Sequence, residues 1–75
     1  MLLPTDVNPK ECIYYNGAVV LEELERSPGL LIMDLYGKLS ASTGMTLSLF
    51  FLCLDWLYLI DAAVVDERGI VVRCS

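Results

Sequence analysis

The segment Tyr36-Gly37-Lys38-Leu39-Ser40 carries a Gly-Lys pair of the kind that closes a phosphate-binding loop. Such a loop cradles phosphates with backbone N–H groups, sets a lysine against the outer phosphates and gives magnesium a hydroxyl. Two of its requirements fail here. Ile32 stands where a glycine is needed five residues before the pair, and Leu39 stands where Ser or Thr must follow the lysine. Lys38 therefore reads as a base on a helix surface. The cysteines Cys12, Cys53 and Cys74 are odd in number and lack metal-ligand spacing. The chain has no histidine, so a Ser-His or Cys-His nucleophile pair cannot form within it. Glu22-Glu23 and Asp66-Glu67 are adjacent carboxylates, which point apart on a helix and face water in a turn. Neither has the character of an acid–base pair. The expectation is a chain with no catalytic residue, no metal and no cofactor, which is not an enzyme.

Composition narrows the class further. A chain of 75 residues makes one domain, and so small a domain has little stability to spare. Apolar residues make up 56% of it, above the ordinary ~45–50%, which points to a folded subunit with a sticky face rather than to disorder. The formal net charge is −5, and the five bases Lys10, Arg26, Lys38, Arg68 and Arg73 are scattered. Strong phosphate binding needs clustered bases, so direct nucleic-acid binding is not expected. The opening MLLPTDVNPK has no basic run and meets Pro4 and Asp6 at once, unlike a signal peptide. Reduced thiols in a cytoplasmic protein are the simplest reading of the cysteines, with Cys53 acting as a small core hydrophobe.

The elements that must position these residues follow from pattern. Residues 1–10, with Pro4 and Pro9, read as an extended arm, and residues 11–75 as a single domain. Glu11 to Tyr15 reads as a short strand ahead of a turn at Asn16-Gly17. Ala18 to Arg26 follows as a helix with Val20, Leu21 and Leu24 on one face, stopped by Ser27-Pro28-Gly29. A second helix spans about Leu30 to Leu39, with Leu31, Leu35 and Leu39 recurring every four residues and Asp34 paired to Lys38. Ser40 to Gly44 reads as a polar loop. Thr46, or alternatively Thr43, caps a long helix that ends near Asp61. Val64 and Val65 then lead through Asp66-Glu67-Arg68-Gly69 into Ile70, Val71 and Val72, a β-hairpin with Gly69 at the positive-φ position. The fold class is α+β, mostly α: a small winged-helix-like domain of three helices and a C-terminal hairpin.

The long helix is unusually greasy. Between Leu47 and Ile60 only Ser48 and Asp55 are polar. A membrane span needs ~20 apolar residues, and an Asp near its centre costs about 2.5–3.5 kcal/mol on insertion scales; no basic cluster flanks the segment. A small membrane protein is thus the weaker reading. On a helical wheel Phe50, Cys53, Leu54 and Leu57 form a core face, with Phe51 and Tyr58 on one shoulder and Ile60 on the other. Ser48 and Asp55 mark the solvent side, yet Leu52, Leu59 and Trp56 lie there too. Leu52, Asp55, Trp56 and Leu59 therefore form a candidate protein-docking stripe, since tryptophan often anchors interfaces. Residues 1–9 folding over the stripe would explain it nearly as well, and a second copy of the chain could also occupy it. A helix that reads DNA would carry Arg, Lys, Asn or Gln, and none occurs between Thr46 and Ala63. Arg68 and Arg73 are the only bases on the hairpin, so a DNA-binding winged-helix regulator stands as the alternative function.

Two stretches resemble a known family. LLPTDVNPKECIYYNGAVVLEEL is similar to the opening of the middle component six family of ABC-three component (ABC-3C) systems, with its hydrophobic-Leu-Pro-Thr arm and a helix ending in Leu-X-X-Leu. FFLCLDWLYLIDAAVVDERGIVVRC resembles that family's apolar helix with a Leu-Asp-X-Leu-Tyr core, here Leu54, Asp55, Leu57 and Tyr58, running into a hairpin that ends in Arg73. Two positions depart from the pattern: Asp6 follows Pro-Thr where lysine is frequent, and Asp61 ends the long helix where glycine is frequent. Asp tolerates the left-handed cap better than most residues. The resemblance implies a non-catalytic subunit of a prokaryotic conflict system, thought to act in antiviral or anti-plasmid defence. It would bridge an SMC-like ABC ATPase and an effector, which would carry the ATP hydrolysis and most DNA contact.

Overall fold

The first helix begins earlier than its β-branched and aromatic residues suggest. A computed structural model describes residues 13–74, and in it α1 spans Ile13–Arg26. Ile13 to Tyr15, expected as strand, are helical, and Asn16-Gly17, expected as a turn, are two of its buried residues. The reason is non-local. A Cβ on Gly17 would lie 3.2 Å from Cδ1 of Trp56, forty residues on, so the missing side chain lets α1 approach the last helix closely. Glycine inside a helix costs about 1 kcal/mol relative to alanine, which the burial of Asn16, Gly17, Val20 and Leu24 along one face offsets. The arm expected at residues 1–10, like Glu11 and Cys12, lies outside the described residues.

The second helix, α2, spans Ile32–Thr43, starting later and running further than expected. Its first N–H does not rely on a side-chain cap, because Ile32 N donates to Gly69 O at 2.9 Å. Val71 N likewise donates to Leu30 O at 3.1 Å, and Leu31 forms a single antiparallel bridge with Ile70. Ser40 to Thr43 prolong the helix where a loop was expected. The Thr43 and Ser42 hydroxyls donate back to Leu39 O, at 2.7 and 3.4 Å, and so do not compete for the helix end. Gly44 supplies the left-handed cap at φ 75°. Leu35 and Leu39 are buried, whereas Leu31 is half exposed ahead of the helix. Asp34 and Lys38 are both exposed, but no ion pair joins them.

The third helix, α3, spans Leu47–Leu59. Thr46 is its cap, accepting from Leu49 N at 3.3 Å. At the other end Ala62 N donates to Leu57 O and Asp61 N to Tyr58 O, the paired bonds of a left-handed helix stop. Asp61 holds the left-handed position at φ 59°, as its place in the sequence suggested. Two strands follow, β1 (Ala63–Val65) and β2 (Val71–Arg73), antiparallel with Ala63 opposite Arg73, Val64 opposite Val72 and Val65 opposite Val71. Asp66 N donates to Ile70 O and Gly69 N to Asp66 O, with Gly69 at φ 81°. This is a three-residue hairpin loop with glycine at the bulge. The three helices and hairpin enclose one core, centred on Phe50, Leu35, Leu39, Leu57, Val20 and Val71.

Candidate docking surface

The site is built by α3, whose 13 residues include only Ser48 and Asp55 as polar members. Phe50, Cys53, Leu54 and Leu57 are its buried residues, the core face read from the wheel. Burial pushes the Cys53 thiol up to about 11, so it packs as a hydrophobe and is not a reactive thiolate. The rest of the helix is left largely uncovered. Leu52 is 55% exposed and Leu59 74%, with Asp55 exposed between them.

Trp56 stands apart from these three. It is half buried against α1, with its ring edge-to-face on Tyr14 at a centroid distance of 5.0 Å and its Cδ1 over Gly17. The stripe therefore divides: Leu52, Asp55 and Leu59 face outward, while the tryptophan closes the α1 side. Two grooves flank the ridge. On the α1 side, about 680 Å³ lies between Tyr15, Val19, Leu49, Leu52 and the Thr43–Thr46 connection. On the hairpin side, about 320 Å³ lies between Phe51, Leu54, Asp55, Tyr58 and all three residues of β1.

The second groove was not foreseen. Phe51 and Tyr58 were taken from the wheel as shoulders of the core, yet they are 42% and 64% exposed. One signal in the sequence could have shown this. Three short helices and a hairpin can bury only one face of α3, so apolar residues on both shoulders exceed what the fold can cover.

The hairpin arginines are engaged within the chain. Arg68 Nη2 lies 2.8 Å from Asp66 Oδ2, and Arg73 Nη1 lies 2.6 Å from Glu25 Oε2. Asp66 also accepts from the backbone N–H groups of Arg68 and Ile70. The Arg68 side chain first, and these N–H groups with it, hold the Asp66 carboxyl below the usual carboxylate range. Among the described residues no three His, Cys, Asp or Glu side chains gather to hold a metal ion. No single helix is long and apolar enough to cross a membrane.

The model of ABC-three component (ABC-3C) system Middle Component 6 matches residues 3–74. The chain belongs to this family. Middle Component 6 thus presents here as three helices and a C-terminal hairpin, and the chain is a middle component of an ABC-3C system. No curated protein and no solved structure matches it significantly.

Proposed function

We propose that this middle component is a non-catalytic adaptor in the cytoplasm of a prokaryote. It bridges the SMC-like ABC ATPase of its own system and the effector, through protein–protein contacts, in defence against phage or plasmids. The observation that carries the reading is the outer face of α3. In a winged-helix arrangement this helix occupies the place of the DNA-reading helix, an analogy supported by the helix–helix–helix–hairpin order and by the Leu31–Ile70 bridge. Here that face offers Leu52 and Leu59 around Asp55. Exposed leucines suit a protein surface, whereas a lone carboxylate repels a duplex. Arg68 and Arg73, the hairpin positions considered for DNA, are each already matched to a carboxylate.

The test is co-purification of the chain with its co-expressed ATPase. Leu52→Asp and Leu59→Asp are expected to abolish it while the circular dichroism spectrum stays unchanged, since both side chains are already in water. Retained co-purification by both folded variants would place the docking surface elsewhere. Trp56→Ala is the poorer probe, because it also removes the contact with Tyr14 and α1.

A further inference from the structure

The groove on the hairpin side of α3 is bounded by a strand with an unused edge. Backbone groups along a strand alternate between its two edges. Cys74 N donates to Ala62 O and Asp66 N to Ile70 O, so Ala62, Val64 and Asp66 direct their backbone groups toward β2. Ala63 and Val65 direct theirs the other way, and among the described residues nothing pairs with them. The remaining edge of the sheet is closed, because β2 is bonded to Leu30 and Ile32 on its far side. Ala63 and Val65 also share the sheet face that looks onto Phe51, Leu54 and Tyr58 across the groove. A strand added beside β1 would thus form up to four backbone hydrogen bonds and lay alternate side chains over those three residues.

Charge specifies the occupant. Asp55 lines the groove, Asp61 precedes β1, and Glu67 lies just past Asp66. None of the three takes part in an ion pair, although Glu22, Glu23, Glu25 and Asp66 all do. A second copy of the chain fits poorly: antiparallel pairing of two β1 strands about Val64 would set Asp61 of each opposite Glu67 of the other, and like charges across a strand pair are unfavourable. We infer that the β1 edge and the Phe51–Leu54–Tyr58 groove take up an extended segment of a partner protein, apolar at alternate positions and carrying Lys or Arg at its ends. This goes beyond the adaptor reading, because the surface lies on the opposite shoulder of α3 from Leu52 and Leu59.

The full chain is titrated in low-salt buffer with the blocked heptapeptide Lys-Val-Thr-Val-Thr-Val-Lys and followed by amide NMR. The expected result is a saturable shift of the Ala63 and Val65 amides. The same peptide with Glu at both ends binds at least about tenfold more weakly. Val65→Pro removes an outward N–H without touching the ladder, a change edge strands tolerate. It weakens binding about fivefold or more, the value of one net hydrogen bond. Tyr58→Ser, exposed and remote from the hairpin fold, weakens it independently should the proline variant lose structure. Leu59→Asp leaves peptide binding unchanged while removing ATPase co-purification, which separates this surface from the stripe. Unmoved Ala63 and Val65 amides at millimolar peptide overturn the inference. So does equal binding of the Glu-ended peptide, or a shift of those amides that depends on protein concentration alone and marks a second copy.

Discussion

The two flanks of α3 are made of similar residues and meet different ends. On the α1 side Trp56 finds a helix whose glycine lets it approach, and Tyr14 closes over the ring edge. On the hairpin side Phe51 and Tyr58 face strands of three residues each, too short to cover them. A helix can lay over an apolar shoulder along several turns, whereas a small hairpin covers only what lies beneath its few inward side chains. What decides whether a greasy side chain becomes core or surface is therefore the length of the neighbour it meets.

The sharpest way to break this contrast is to cut into the face that both flanks share. Phe50→Ala should cost about 3–5 kcal/mol, since the ring is fully buried beside Tyr36. In a domain this small that is most of the stability, and urea unfolding should show a variant largely unfolded without denaturant. Leu59→Ala, on the same helix but in water, should stay within about 0.5 kcal/mol of the parent.

Next comes the closed flank alone. Gly17→Val should destabilise by about 2 kcal/mol, because the branched side chain must displace the Trp56 ring. Trp56 is the sole tryptophan, so a red shift of its fluorescence before unfolding would show the ring pushed into water. An unchanged spectrum and midpoint would mean that the close approach of α1 does not hold the tryptophan in place.

A smaller effect of opposite sign is expected where α3 turns toward the open flank. Asp61→Gly relieves a non-glycine residue at φ 59° and should add about 0.5–1 kcal/mol, read as a higher urea midpoint with an unchanged slope. Smallest is the pH response of the hairpin. The Asp66 carboxyl sits below its usual range because of Arg68 and the turn N–H groups. Its contribution is present above the unfolded carboxylate range and disappears as pH falls through the lowered folded value. Amide exchange at Gly69 and Ile70 should therefore quicken in acid before the core opens, and in Asp66→Asn that acid-specific step should be much reduced.

Legibility followed the range of the interactions. The core face of α3, the Thr46 cap, the Asp61 stop and the Gly69 hairpin rest on neighbours within a few residues, and each was readable from the chain. Residues Ile13 to Tyr15 were not, because their local preference for strand is overruled by packing against α3. Asn16-Gly17 looks like a turn until Trp56 is placed above the glycine. The tail of α2 was hidden by polar residues whose hydroxyls turn back onto Leu39 O. The open edge of β1 could not be seen either, since an edge exists only once the order of strands is known. The division of the candidate stripe has the same origin. Leu52, Asp55 and Leu59 share a face by spacing alone, whereas the fate of Trp56 was set by a helix at the other end of the chain.

Cys53 gives the molecule a timekeeper. Its thiol is wholly enclosed and resists ionisation, whereas Cys74 lies in the open. An alkylating reagent should take Cys74 at once and reach Cys53 only in the moments when the helices part. The lag between the two additions, followed by mass, then reports how often the core opens without any denaturant. Measured with and without the ATPase, that lag would tell how far the assembly restrains the breathing of its smallest part.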